Sequence, residues 1–194
     1  MLYRQHTQTA FENKLLNISP MAYVSQDQFP DGATITLTTD DSTLIDHQIV
    51  AFSQALYHAE ALYRSVRFAG QVSRFLSWLF HQPAHLVDAS EIINGEILDY
   101  NFIGVKSVAI NQIIASEKRS IDFDFAFNPL NDKKWKHWID IAALMFYGVE
   151  FPPVDLFQID HHYIIHDGHN RISVARSLGQ DSIPACVTLL QRPI

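Results

Sequence analysis

The sequence feature that most constrains the fold is an abrupt change of hydrophobic period at Gly168. Just before it, Tyr163, Ile164 and Ile165 are aromatic or β-branched, which predicts a short strand. After it, apolar residues recur at helical spacing as far as Leu178 (Ile172, Val174, Ala175 and Leu178), and Gly179 follows as a stop signal. The sequence therefore predicts a strand, a tight glycine turn and a helix in direct succession.

The predicted turn offers a place for an anion. The first N–H groups of a helix lack intrahelical partners and lie at the positive end of its dipole, where phosphate or carboxylate binds readily. Arg171 falls in the first helical turn, where its guanidinium can clamp the same anion with two hydrogen bonds. The alternative is structural: Asp167 and Asn170 are also common turn and cap residues. The G-x-x-R spacing alone does not decide between these interpretations.

A longer series of residues resembles the ParB/sulfiredoxin-like superfamily. Pro152-Pro153, the apolar strand, Asp-Gly-His-Asn-Arg, Ala-Arg-Ser-Leu-Gly and Ile-Pro-Ala-x-Val follow one another in that family's order. The similarity extends upstream to about Val105 and takes in Ile110, Ile113 and Arg119, so it covers about residues 105–190. It implies an α+β fold with a small mixed sheet and flanking helices. The superfamily includes DNA-partitioning proteins that bind CTP, ATP-using sulfiredoxins and a kinase of free serine, so the site must decide the activity.

The resemblance implies that the Gly168–Arg171 turn holds nucleotide phosphates, with contacts from Gly168, His169, Asn170 and Arg171. Sulfiredoxins carry a nucleophilic cysteine directly after the glycine. His169 stands there in this chain, so repair of sulfinic acid is not expected. Partitioning ParB proteins carry Glu-Arg-Arg after the glycine, of which only Arg171 is kept. Chromosome partitioning in the ordinary sense is therefore not expected either.

The free-serine kinase remains as the catalytic analogue. Glu117 falls near the position where that kinase has an acidic residue, which makes it the candidate base for an attacking hydroxyl. Asp167, beside the phosphate turn, is the candidate ligand of Mg²⁺, which prefers carboxylate and phosphate oxygens. Arg119 is expected either to contact a phosphate or to pair with Asp122 or Asp124. The structural alternatives are a solvated loop carboxylate for Glu117 and an Asx-turn for Asp167.

The resemblance, together with these residues, implies a protein that binds ATP, ADP or CTP with Mg²⁺ and acts as a kinase or NTPase. The alternative is a non-catalytic regulator that senses the nucleotide and binds DNA or another protein. The chain carries 14 Lys and Arg against 21 Asp and Glu, a formal charge of −7, which disfavours a general DNA binder.

The single cysteine, Cys186, excludes an internal disulfide and a multi-cysteine zinc site, and its apolar surroundings predict a core position. The N-terminus lacks the apolar segment of a signal peptide. The longest apolar run, residues 141–147, is too short to span a bilayer. The sequence thus predicts a cytoplasmic protein without a membrane partner.

The hydrophobic pattern divides the chain into an N-terminal arm (1–42), a helical region (43–98) and the ParB/sulfiredoxin-like domain (99–194). The stripe of the helical region predicts either a homodimer surface or a face that packs on the domain, and Gly70 can end or break its helix. Within the arm, residues 33–39 alternate as in a strand, and residues 122–125 alternate in the domain. A helical stripe from Trp135 to Phe146 and a strand at 154–159 complete the pattern.

Four histidines lie close together in sequence: His161, His162, His166 and His169. On a strand, His162 and His166 share a face, which suits a metal ion. A transition-metal site needs convergent geometry that spacing does not supply, so His169 is assigned to phosphate contact instead.

Overall fold

The computed structural model describes residues 22–25, 34–37, 42–93 and 99–191, with side chains from residue 49 onward. Most of the expected N-terminal arm lies outside these residues. Its predicted strand is confirmed as β2 (Thr34–Leu37), which pairs antiparallel with β1 (Ala22–Ser25).

A six-stranded mixed sheet forms the centre of the described chain. Its strands are β3 (Val87–Asp88), β4 (Asp99–Ala109), β5 (Ile113–Ser116), β6 (Val154–Ile159), β7 (His162–Asp167) and β8 (Ser182–Gln191). They lie in the order β3-β5-β7-β6-β8-β4. The β3-β5, β5-β7 and β6-β8 pairs are parallel, whereas β6-β7 and β4-β8 are antiparallel. Together with the helices, this sheet confirms the predicted α+β class.

The α-helices are α1 (Ser42–Phe80), α2 (Ala89–Ile92), α3 (Trp135–Phe146) and α4 (His169–Ser177). α1 runs unbroken through Gly70, where a Cβ would lie 2.6 Å from the carbonyl oxygen of Pro129. Gly70 therefore serves close packing and does not break the helix. The segment interpreted as helical up to residue 98 also contributes β3 to the sheet. No helix in the described ranges has the length and apolarity needed to cross a membrane.

Two apolar clusters join the helices to the sheet. The first lies between one sheet face and α4 and includes Val154, Leu156, Ile165, Ile172 and Val187. The second joins α1, α3 and α4 (Ala59, Tyr63, Trp138, Ala142 and Val174). The buried hydroxyl of Ser173 links them, since it accepts from Trp138 Nε1 at 2.8 Å and donates to the Phe127 carbonyl at 2.6 Å. The first part of α1 thus packs on the domain through α3.

Residues 122–125 do not form a strand, although their alternation is compatible with one. Residues Ser120–Asp122 form a 3-10 turn. The buried carboxylate of Asp124 accepts backbone N–H bonds from Ala126 and Asn128, at 2.9 and 2.8 Å. Aspartates favour such local turns over a ladder, and this overrode the period-two pattern.

Candidate functional site

The predicted site residues meet at one edge of the sheet because β5 and β7 are parallel neighbours. The carboxyl ends of parallel strands lie at the same edge, and the connections that follow them lie side by side. Glu117 N–H donates to the Ile165 carbonyl at 3.0 Å, and the Ser116 hydroxyl bonds to His169 Nε2 at 2.7 Å. Arg119 N–H donates to the Ser116 hydroxyl at 3.0 Å. The structure thus ties the loop after β5 to the glycine turn after β7.

Gly168 shapes this turn. Its φ of +99° lies in the left-handed region, and a Cβ placed on it would lie 2.7 Å from Val154 Cβ and 3.1 Å from Arg171 Nη2. Both the conformation and the space therefore require glycine. Gly168 is the N-cap residue of α4, and no side chain caps the helix. The first N–H groups of α4 are consequently left for other acceptors.

Arg171 holds the turn against the start of β6. Its Nη1 donates to the carbonyl oxygens of Pro152 and Pro153, at 2.6 and 3.2 Å, and its Nη2 to Asp167 Oδ2 at 3.1 Å. Burial lowers the pKa of Arg171, and the neighbouring Asp167 opposes that shift. All three acceptors belong to the protein, so direct contact of Arg171 with a phosphate stays a prediction.

His169 is buried, and its ring stacks on Phe123 with the centroids 6.2 Å apart. Burial lowers its pKa from 6.5 to about 4, and the positive charge of Arg119 adds to the effect. The imidazole is therefore neutral at pH 7 and is engaged with Ser116. His169 can offer an anion its backbone N–H, but no side-chain charge.

Asn170 lies beside a shallow recess between α4 and the start of α3. Arg119, Lys134 and Trp135 also line this recess, and its enclosed part, ≈ 10 Å³, is the size of one water site. Asn170 is only 7% exposed. Within the described part of the chain its side-chain amide has no hydrogen-bond partner. A buried amide without a partner costs about 1–3 kcal/mol and calls for an explanation, such as a ligand or water group.

Arg119 reaches the same recess as half of an ion pair. Its Nε donates to Asp122 Oδ2 at 2.7 Å, and Asn131 donates to the other oxygen of Asp122 at 2.6 Å. Burial opposes ionisation of Asp122, yet these hydrogen bonds prevail and lower its pKa. Of the two partners proposed for Arg119 from the sequence, Asp122 is the one that it contacts.

Glu117 forms a pair that the sequence analysis did not find. Its Oε2 bonds to Nδ1 of His166 at 2.5 Å and lies 3.5 Å from Lys118 Nζ. The two partners stand 49 positions apart, and only the parallel pairing of β5 with β7 signals that they meet. The carboxylate can hold the imidazole in one tautomer.

A second cleft lies on the sheet face away from α4. Its volume is ≈ 290 Å³, and His166, Asp155, Phe157 and Cys186 are among the residues that line it. The Phe157 and His166 rings are 4.8 Å apart. Cys186 is partly exposed here, so the expectation of a core position for it was wrong.

The histidines do not converge on a metal. The described ranges contain no group of three or more His, Cys, Asp or Glu side chains that could hold one. Asp167, the candidate Mg²⁺ ligand, is mostly exposed, and only its Oδ2 is bonded to Arg171. Its role as a magnesium ligand stays a prediction.

Comparison with known proteins gives little further guidance. No protein-family model matches the chain, and no curated protein matches it. The crystal structure of sulfiredoxin from Arabidopsis thaliana matches 43% of this chain and 82% of its own, with 17% sequence identity. The TM-score of 0.29 is too low to assign this chain to the sulfiredoxin fold.

We predict that Gly168→Ala destabilises the protein by about 2–4 kcal/mol, because it adds a steric clash to an unfavourable φ. Gly148→Ala is the matched control, since Gly148 has φ +91° but nothing within 4 Å of the added Cβ. It should cost only about 1 kcal/mol. Urea unfolding measures the free energy of unfolding of both variants. Equal losses would show that Val154 moves aside and that the turn is not tightly packed.

We predict that the free energy of unfolding falls as the pH drops from 6.5 towards 4. The unfolded chain takes up a proton on His169 near its ordinary pKa of 6.5, whereas the folded chain resists until about 4. The contribution of neutral His169 to the free energy of unfolding is fully present above pH 6.5, and about 3 kcal/mol of it is lost by pH 4. Urea titrations of the wild type and His169→Gln at several pH values should show a shallower pH slope for the variant. Parallel slopes would contradict the assignment.

Proposed function

We propose that this chain binds a nucleotide through its phosphates at the N-terminus of α4, in a ParB/sulfiredoxin-like domain. The observation that carries the proposal is the buried side-chain amide of Asn170, which has no partner in the described part of the chain. It lies in the first turn of a helix that no side chain caps. A phosphate oxygen would accept from this amide and from the first N–H groups of the helix together.

The charges around the recess support an anionic ligand. Arg119, Lys134 and Asp122 line it, and the carboxylate of Asp122 pairs with Arg119 at 2.7 Å, so the three side chains carry one net positive charge. His169 adds no charge because it is neutral, so the helix N-terminus and the one net positive charge of these side chains would attract the phosphate. In this proposal Arg171 acts indirectly, by fixing Gly168 and Asp167 in place through its bonds to Pro152 and Pro153.

The size of the recess decides how much of the nucleotide it can hold. Its enclosed part, ≈ 10 Å³, admits phosphate oxygens but no base or sugar. The remainder of the ligand would lie outside, where the half-exposed indole of Trp135 offers an aromatic surface for stacking. Such a site suits recognition of the phosphates more than recognition of a particular base, in keeping with ATP, ADP and CTP as candidates.

The Glu117–His166 pair is the candidate acid–base pair for phosphoryl transfer or NTP hydrolysis. It lies at the same sheet edge as the glycine turn, but His166 faces the cleft and not the Asn170 recess, so the attacking hydroxyl or water would approach from the cleft side. Glu117 holds Nδ1–H of the half-exposed His166, so that Nε2 can take the proton of an attacking hydroxyl or water. The sequence predicted Glu117 as the base. In this proposal His166 is the base, and Glu117 orients its ring and stabilises its protonated form. Mg²⁺ bound to Asp167 and the phosphates would neutralise the charge that develops on them.

Calorimetric titration with ATP, ADP and CTP, with and without Mg²⁺, tests the binding site. We expect saturable binding to the wild type and at least tenfold weaker binding to Asn170→Leu, which removes the amide at similar volume. Because the amide is unpaired, this variant should be as stable as the wild type or more so. Asn101→Leu, on the exposed edge strand β4, is the matched control and should bind normally. Absence of binding to all three nucleotides would overturn the proposal, and so would full affinity in Asn170→Leu.

Release of inorganic phosphate or ADP tests catalysis separately. Glu117→Gln can still hydrogen-bond to His166 but loses its charge, so we expect turnover to drop roughly 100-fold or more, while nucleotide affinity is kept. Glu91→Gln, an exposed carboxylate on α2, should keep full activity. Binding without turnover in the wild type, with a nucleotide-dependent change of oligomeric state, would instead show a regulator.

A further inference from the structure

The last third of α1 is apolar on the side that faces away from the domain. Large exposed side chains follow one another over residues 68–80 and are 39–73% exposed: Phe68, Val72, Phe75, Leu76, Trp78, Leu79 and Phe80. At 100° per residue, the stripe through Phe68, Phe75 and Leu79 lies opposite the buried face at Tyr63 and Val66. A helix that is apolar on both sides normally has partners on both sides.

The size of this apolar face matches a protein interface. Phe80 lies about 110° round the helix from the middle of the stripe and is left out. Fully buried aromatic side chains cover about 150–250 Å² each, so the exposed fractions of the other six residues amount to on the order of 700 Å². That is about the area that one partner contributes to a standard interface. Isolated patches on monomers are commonly smaller, roughly 300–600 Å².

We infer that this face of α1 binds the same face of a second copy of the chain. Phe68, Val72, Phe75 and Leu79 are spaced by four, three and four residues, which is the seam spacing of paired helices. A twofold axis across such a seam places each stripe against its own copy. Apolar side chains thereby face apolar side chains across the axis.

The charges along α1 agree with self-association. Residues 65–80 contain only two charged side chains, Arg67 and Arg74. Both point towards the domain: Arg67 pairs with Asp132 at 2.7 Å, and Arg74 donates to the Leu130 carbonyl at 3.3 Å. No like charges would therefore face each other across the seam. An anionic lipid surface fits less well, because these two arginines are engaged and the chain carries a net charge of −7.

Sedimentation equilibrium of the full chain tests the inference, with Phe75→Glu as the variant. We expect the wild type to sediment at twice 22.2 kDa and the variant to dimerise at least 100-fold more weakly, since the twofold axis opposes two buried carboxylates. Tyr57→Glu is the matched control: it adds the same charge on the same side of α1, about five turns earlier, at a residue 69% exposed. It should leave the dimer intact.

A charge-reversal pair keeps the test independent of any loss of folding. An equimolar mixture of Phe75→Glu and Phe75→Lys should recover a heterodimer, because opposite charges then meet across the seam. A monomeric wild type would overturn the inference. Flotation of a monomer with phosphatidylcholine–phosphatidylserine vesicles would overturn it in favour of a lipid surface.

Discussion

The close approach of the glycine turn to the start of β6 is the contact on which the candidate site depends. Gly168 lies against Val154 with no room for a side chain, and Arg171 fastens the same place to the carbonyl oxygens of Pro152 and Pro153. The turn is thus held by the steric contact of Gly168 with Val154 and by the hydrogen bonds that buried Arg171 donates. A backbone fixed in this way presents its N–H groups in one direction, which is what a preorganised anion site requires.

Most polar groups around the turn form hydrogen bonds within the protein. The side-chain amide of Asn170 is an exception, and it therefore points to a missing hydrogen-bond partner. Ser116 and His169 bond to each other, Arg119 pairs with Asp122, and Asp122 is further bonded to Asn131. Proteins pair their buried polar groups because an unpaired one loses its hydration without compensation. An unpaired amide within an otherwise complete network therefore calls for a partner from outside the described chain, either a water molecule or a ligand group.

Much of the fold could be predicted from the periodicity of apolar residues and from the glycines that end helices. The strand at 154–159, the helix ending before Gly179 and the helix ending before Gly148 lie where the pattern places them. The short strand predicted at residues 163–165 is the middle of β7. The failures have local causes. Asp124 binds backbone N–H groups in a turn, although its segment alternates like a strand. Gly70 continues a helix, although glycine often ends one, because the Pro129 carbonyl occupies the space beside it.

The site residues on the turn could be named from the sequence, but not their partners. Three of these contacts and properties depend on which strands become neighbours. They are the bond of Glu117 to His166, the bonds of Arg171 to two prolines and the neutral state of His169.

By itself the sequence determined the strand–turn–helix unit, since chain-local period and glycine conformation are properties of consecutive residues. Only the tertiary structure decided which side chains of that unit remain available to a ligand and which form hydrogen bonds within the protein. The physical reason is that hydrogen-bond satisfaction and desolvation depend on distances across the sheet, and those distances arise only when β5, β6 and β7 have packed together.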